Sequence, residues 1–382
     1  MNNLFNEATS LLSQLIATPS FSKEEHNTAG IITAFLEKHG VQVHRKGNNV
    51  WAFNKHYNPA FPSVLLNSHH DTVKPGQGWT LDPFQPTVKN EKLFGLGSND
   101  AGGALVSLIA TFLHFYKRED LQYNIVLAAT AEEEISGVNG IESIIPELGK
   151  IDFAIVGEPT QMQLAIAEKG LLVLDCIAQG RTGHAAREEG DNAIYKALKD
   201  IEWFRSYKFS KVSEYLGPVK MSVTVIRAGM QHNVVPGACE FTVDVRVTDA
   251  YTNEEVLDII RKHVGSEVRP RSLRLKPSSI RNDHPIVRAG LSLGRKTYGS
   301  PTTSDQALLS VPSLKLGPGD SARSHTADEY IYLSDIEQGI RLYIEMLGKV
   351  ILEVKGERPD DMQLSKRDLD KLKEDRIALA NS

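Results

Sequence analysis

The run NIVLAATAEEEISG (residues 124–137) is apolar from Ile125 to Ala129 and then sets Glu132, Glu133 and Glu134 side by side. A short unbroken apolar run predicts a strand buried on both faces, the kind found inside a mainly parallel sheet. Three adjacent carboxylates at its end repel one another, so the fold has to bring positive charge there. The pattern recurs along the chain. SVLLNS (63–68) and FAIVGE (153–158) read as further buried strands, and AGGALVSLIATFLHFYKR (101–118) has helical length and periodicity between two of them. This alternation predicts an α/β fold, a mainly parallel sheet flanked by helices, with functional side chains at the carboxyl ends of the strands.

At 382 residues the chain is too long for one typical core, which predicts two domains. Near residue 164 the texture turns β-rich, with LLVLDCIAQG, VKMSVTVIRAG and CEFTVDVRVTD, and with helical patterns at 191–206 and 252–263. We read 164–280 as a smaller α+β domain inserted into a larger one made of 1–163 and 281–352. Residues 353–382 are densely charged with mixed sign, which predicts a solvated tail.

Hydrophobic content of 41% and charged content of 24% describe an ordinary globular chain, and a net charge of −5 gives no global drive toward nucleic acid or an anionic membrane. The opening segment MNNLFNEATSLLSQLIATPSFS spaces Leu4, Phe5, Ala8, Leu11, Leu12, Leu15 and Ile16 as an amphipathic helix rather than a signal peptide. No window approaches the length of apolar sequence a membrane span needs. Cys176 and Cys239 both sit in apolar, strand-like runs, which predicts two buried thiols. These features together predict a cytoplasmic protein.

Each apolar run of the larger unit ends in groups able to bind a cation. SVLLNSHHDTV supplies His69, His70 and Asp71; LFGLGSNDAGG supplies Asp100; ATAEEEISG supplies the three glutamates; AIVGEPT supplies Glu158; and GPGDSARSHTADEY adds His325. Singly, each has a plain reading as a surface histidine, an acidic loop or a turn. Together, on neighbouring parallel strands, they converge on one rim. Mixed imidazole and carboxylate donors suit zinc or its relatives, since softer ions prefer thiolates and harder ones all-oxygen shells. Alternation along a strand puts His69 and Asp71 on one side, where Asp71 can accept a hydrogen bond from the far ring nitrogen of His69. Glu133 and Glu134 can serve neighbouring tasks only where the strand turns into a loop, one on a metal and the other on its water.

These motifs resemble the zinc-dependent aminoacylase and carboxypeptidase family that includes acetylornithine deacetylase and succinyl-diaminopimelate desuccinylase. The likeness runs over about residues 5–350, through HHDTV, GLGSNDAGG, TAEEEISG, GEPT and SHTADE. It implies two divalent ions, zinc foremost with cobalt and manganese also compatible, bridged by Asp100. His69 and Glu158 would hold one, Glu134 and His325 the other, with Glu133 as general base and Asp71 orienting His69. The inserted unit resembles the family's lid and dimerisation domain, which implies a homodimer in which His184 of GRTGHAAREEGDNAI steadies the oxyanion in the partner's site. Asn233 and Arg246 match substrate-binding positions, Arg246 facing a substrate carboxylate, a bidentate task that suits guanidinium. Taken without the family, Arg246 reads equally as a strand-surface ion pair, and His184 reads as a loop histidine. Ala101 and Gly102 stand where a Met-Lys pair often follows the bridging Asp, Ala185 replaces the usual Ser, and a nearby proline is missing.

The expectation is therefore removal of an N-acetyl or N-succinyl group from an amino acid such as ornithine or citrulline, in arginine biosynthesis. A dipeptidase or carboxypeptidase on the same centre, and a non-catalytic metal-binding protein, are the alternatives. A nucleotide site at GLGSNDAGG is disfavoured, because the run is not G-x-G-x-x-G and Asp100 would face a pyrophosphate.

Overall fold

The Ser63–His69 strand is buried along its whole length and forms parallel ladders with Asn124–Thr130 on one side and Phe153–Val156 on the other. It is the centre of a nine-stranded sheet in the computed structural model, which describes residues 2–352. Beyond Phe153–Val156 the sheet continues through Ser313–Lys315, also parallel. Its opposite edge is the antiparallel hairpin Val43–Lys46 and Asn49–Phe53. The charged tail expected at 353–382 lies outside the described residues.

Alternation sorts the central strands into two faces. Val64, Leu66, Ile125, Leu127, Phe153 and Ile155 point to one side, where the helices Asn2–Ile16, His26–Lys38, Gly103–Phe115 and Leu333–Ile351 cover them. Leu65, Val126, Ala128 and Ala154 point to the other, under the short helix Ile141–Ile144 and Leu148. Both faces are therefore closed, unequally, and the middles of the strands read as consecutive apolar residues because neither face meets water. Truncating a fully buried leucine such as Leu66 would cost about 2–5 kcal/mol, which is why the end of the strand, and His69 with it, is held firmly.

The β-rich middle of the chain forms a separate four-stranded antiparallel sheet, in the order Lys220–Ala228, Ala238–Val247, Gly170–Gln179, Glu267–Pro270. The helices Ala193–Ser206 and Asn253–His263 supply Ala197, Phe204, Val256 and Ile260 to a core of its own with Leu172, Leu174, Phe241 and Val243. Cys176 and Cys239 are buried there as free thiols, and burial pushes the Cys176 thiol up to about 12. The boundary differs from the expected one. Leu164–Glu168, expected at the start of the smaller unit, pairs with Thr297–Ser300 and Ser278–Ser279 in the large sheet. All five of its residues are buried, so its apolar pattern belongs to the larger core, and only Lys169 separates it from the smaller sheet. No helix among the described residues is long and apolar enough to cross a membrane.

Candidate metal centre

Strand ends and the turns that follow them bring the acidic and histidine residues together. His69 is the last residue of its strand and is 1% exposed. Its Nδ1 lies 2.9 Å from the main-chain oxygen of Asp71, which turns Nε2 toward the carboxylates. That Nε2 is 3.4 Å from Asp100 Oδ1, 3.8 Å from Glu133 Oε2 and 3.9 Å from Glu158 Oε1. Across the cluster, His325 Nε2 is 3.0 Å from Glu134 Oε2 and 3.6 Å from Asp100 Oδ2. Asp100 thus stands between the two imidazoles.

The turn after Asn124–Thr130 gives the three glutamates three different fates. Glu132 and Ser136 take the left-handed conformation on either side of a tight 3-10 turn, Glu133–Ile135. Glu132 swings out of the cluster, its carboxylate accepting hydrogen bonds from the side chain and main chain of Asn139. Glu133 and Glu134 swing in. Repulsion in the triplet is therefore reduced by geometry before any cation is considered.

Asp71 does something the sequence did not indicate. Its carboxylate Oδ1 is 3.5 Å from His69 Nδ1, so the closer contact to the ring is made by its carbonyl instead. The carboxylate accepts hydrogen bonds from the main-chain nitrogens of Glu133 at 3.0 Å and Glu134 at 3.2 Å, and from Ser22 Oγ at 2.7 Å. It orients the paired glutamates as much as the histidine. Glu25, fully buried, extends the same device by accepting the Glu132 N–H at 3.1 Å.

The Asp100 loop owes its shape to glycine. Gly97 has φ of +76°, and a Cβ there would come within 2.6 Å of Thr72. A Cβ on Gly102 would lie 2.4 Å from the Gly97 carbonyl, so this glycine-rich run serves close backbone packing rather than a phosphate.

Electrostatics calls for a cation. Burial, followed by the neighbouring Glu158, Asp305 and Glu134 carboxylates, pushes Glu133 well above the usual range against the pull of His69, and Glu158 is pushed up to about 8, again chiefly by burial. Burial opposes charge on His69, yet Glu133, Asp100, Asp71 and Glu158 hold it well above its ordinary value. Hydrogen bonding to Glu134 raises His325 to about 9. His69 Nε2 is also buried with no hydrogen-bond partner, which is costly unless something else engages it. A divalent ion satisfies both conditions, and the nitrogen and oxygen donors fit zinc, cobalt or manganese. Donor atoms of His69, Asp100 and Glu134, and of His69, Glu133 and Glu158, each lie within 4.8 Å of one another.

Beside the cluster opens a cleft of about 340 Å3, walled by Glu158, Tyr298, Thr302, Thr303, Lys315 and His325. Arg246 reaches its rim. The guanidinium donates to Thr303 Oγ1 at 3.3 Å and also pairs with Asp244 at 2.8 Å, so the plain ion-pair reading and the rim position hold together. His184 and Asn233 lie elsewhere on the smaller unit, both exposed. His184 occupies the two-residue strand Gly183–His184 rather than a loop, and its Nδ1 accepts from Ala186 N at 3.1 Å.

Sequence reasoning missed several buried charges around the site. Lys315, 3% exposed, pairs with Glu168 at 2.9 Å and donates to Thr302; a lone lysine inside the apolar PSLKLG run was the available signal. Asp305 accepts from Thr130 Oγ1 at 2.7 Å and is pushed up to about 6 by burial, and no local pattern marks it. Glu329 belongs to the quoted SHTADE run without having been given a role.

The sequence profile described as peptidase family M20/M25/M40 matches residues 65–349. A succinyl-diaminopimelate desuccinylase of Psychromonas ingrahamii is 27% identical over 374 residues, covering 89% of this chain and 98% of that protein. An acetylornithine deacetylase of Proteus mirabilis is 28% identical over 379 residues, covering 91% and 97%. The YXEP protein of Bacillus subtilis, described as a dinuclear metal binding peptidase of the M20 family, superimposes with a TM-score of 0.68 at 16% identity, covering 91% of this chain and 98% of its own. At that identity the structural likeness shows the fold.

Proposed function

The chain belongs to peptidase family M20/M25/M40, and from that premise we propose that it is a two-metal hydrolase that removes the acyl group of an N-acyl amino acid. The observation that carries this reading is the meeting of Asp100, Glu134 and Glu158 around the orphaned His69 Nε2, with His325 reaching Asp100 and Glu134 from the other side and one further carboxylate, Glu133, beside them. A storage site needs the ligands and has no use for the extra acid.

His69 and Glu158 would hold one ion, Glu134 and His325 the other, and Asp100 both. Bound there, the ions would act as Lewis acids toward an amide carbonyl and lower the pKa of water from about 15.7 to about 7. Glu133 accepts the proton of the attacking water and returns it to the departing amine nitrogen, as one acid–base group can do in both halves of a hydrolysis. Asp71 keeps Glu133 aimed by gripping its main-chain N–H.

We assign the oxyanion contact to His184 of a second copy. Its Nδ1 accepts a hydrogen bond, which leaves the Nε2 proton available to donate. A homodimer is supported by the edge strand Lys220–Ala228, where Val225 and Ile226 are exposed, and by the adjoining helix Ala193–Ser206, which exposes Tyr195 and Leu198. Arg246 and Asn233 are assigned to the substrate, Arg246 to its carboxylate across the Thr303 rim. The names of the two relatives support an N-acetyl or N-succinyl derivative of an amino acid; we take ornithine or citrulline as the amino acid and place the reaction in arginine biosynthesis in the cytoplasm.

The test is a side-by-side assay of the zinc-loaded protein on N-acetylornithine, N-acetylcitrulline, their N-succinyl counterparts and a dipeptide panel. Release of free amino acid from an acylated substrate is expected. Turnover confined to dipeptides would assign a dipeptidase, and stoichiometric zinc without turnover would assign a binding protein.

A further inference from the structure

Glu329 is 2% exposed, and its carboxylate is spent entirely on main-chain donors of the Asp100 loop. Oε1 accepts from Asn99 N at 2.8 Å and Asp100 N at 2.9 Å, and Oε2 accepts from Gly97 N at 3.2 Å. Its own carbonyl accepts from Gly95 N at 3.0 Å. Glu329 is absent from the lining of the cleft; its hydrogen bonds go to that loop, and its charge also acts on His325.

The residue sits four positions after His325, on a turn whose neighbouring Asp328 carboxylate takes the main-chain nitrogens of Thr80 at 2.8 Å and Leu81 at 3.0 Å. A second brace joins the same two segments. The Asn99 side chain accepts from Asp320 N at 2.9 Å and donates to Asp320 O at 3.0 Å. Two stretches more than two hundred residues apart in sequence, one carrying Asp100 and one carrying His325, are thus cross-linked beneath the cluster.

We propose that Glu329 is a positioning residue of the metal centre, fixing the bridging carboxylate of Asp100 and tying its loop to the turn that supplies His325. The physical reason is pre-organisation. A ligand on a loop of glycines would otherwise sample many orientations, and a carboxylate that holds the amide donors of Gly97, Asn99 and Asp100 removes that freedom before a cation arrives. Because Asp100 lies between the two imidazoles, one such brace acts on both ion positions. The proposal rests on the two-metal reading above.

The experiment uses full-length protein, stripped of metal and titrated with zinc against a chromogenic chelator, with thermal unfolding recorded in chelator and in zinc. Glu329→Gln presents an amide N–H to donors that need an acceptor. It is expected to weaken zinc binding about 10–100-fold, shrink the zinc-dependent rise in melting temperature, and leave KM near wild type when zinc saturates. A purely structural role would lower both melting temperatures equally and leave zinc affinity unchanged. Glu329→Asp keeps the acceptor on a shorter arm and is expected to fall between the two, which gives a reading if the Gln variant does not fold. Wild-type zinc affinity in either folded variant overturns this proposal alone. A wild-type chain that takes up no zinc overturns the two-metal reading, and this proposal with it.

Discussion

The Asp71 carboxylate accepts a hydrogen bond from the main-chain nitrogen of Glu133 at 3.0 Å. A residue expected to steer a histidine therefore also steers the proposed base, and the same carboxylate takes the next amide, Glu134 N. Asp71→Asn keeps the shape but offers one acceptor oxygen where three donors, Glu133 N, Glu134 N and Ser22 Oγ, converge. We expect kcat to fall about 10–100-fold with KM little changed, read by steady-state kinetics on zinc-saturated protein. A wild-type kcat would confine Asp71 to packing.

In the proposed two-metal reading, Glu133 is the carboxylate left over once the ligands are assigned. Glu133→Ala is expected to abolish measurable turnover, a loss of at least about 10²–10⁴, while the protein keeps two zinc ions per chain. Metal analysis beside the rate assay checks this. Retained activity at full metal content removes Glu133 from the mechanism.

Zinc should gain in stabilising effect as pH rises. Burial holds Glu158 at about 8, above its ordinary 4.5, and the Glu134 contact holds His325 at about 9, above 6.5. In chelator the folded chain therefore binds more protons than the unfolded chain between those values, so its stability falls as pH climbs through 8 and then 9. Zinc replaces those protons and removes the dependence. Melting temperatures in chelator and in zinc, measured from pH 6 to about pH 9, should diverge; parallel curves would count against both residues as ligands.

Lys315 and Glu168 form a buried ion pair at the back of the cleft. Lys315→Met strands the carboxylate and is expected to cost about 3–5 kcal/mol in urea unfolding. Replacing Glu168 by leucine as well should recover only part of that, because Glu168 also accepts from Ser304 N and Oγ. Full recovery would mean that the Ser304 contacts contribute nothing.

His184 can be tested by complementation. Chains carrying His184→Ala and chains carrying Glu133→Ala should each be inactive, and co-refolded mixtures should regain activity if the histidine acts across subunits, because one composite site is then intact. A mixture as inactive as its parents would place His184 outside the reaction or within its own subunit.

Much of this architecture is written locally. The apolar stretches at 64–66 and 125–129 specify strands buried on both faces, because only such strands shed polar residues on both sides along their middles. A donor after each run then marks the rim, since strand ends are where side chains leave the core. The alternating pattern of Gly170–Gln179 and Ala238–Val247 marks the second sheet in the same way.

Tertiary structure alone decided what the charges do. That Glu132 leaves the cluster depends on a left-handed backbone and on Asn139; that Asp71 serves Glu133 depends on two loops 62 residues apart meeting. Glu25, Lys315 and Glu329 find their partners across the fold as well. Periodicity records which residues avoid water, and it records this strand by strand. Hydrogen bonds and ion pairs are directional contacts made over a few ångströms, so which groups share one is settled only when distant segments come into register.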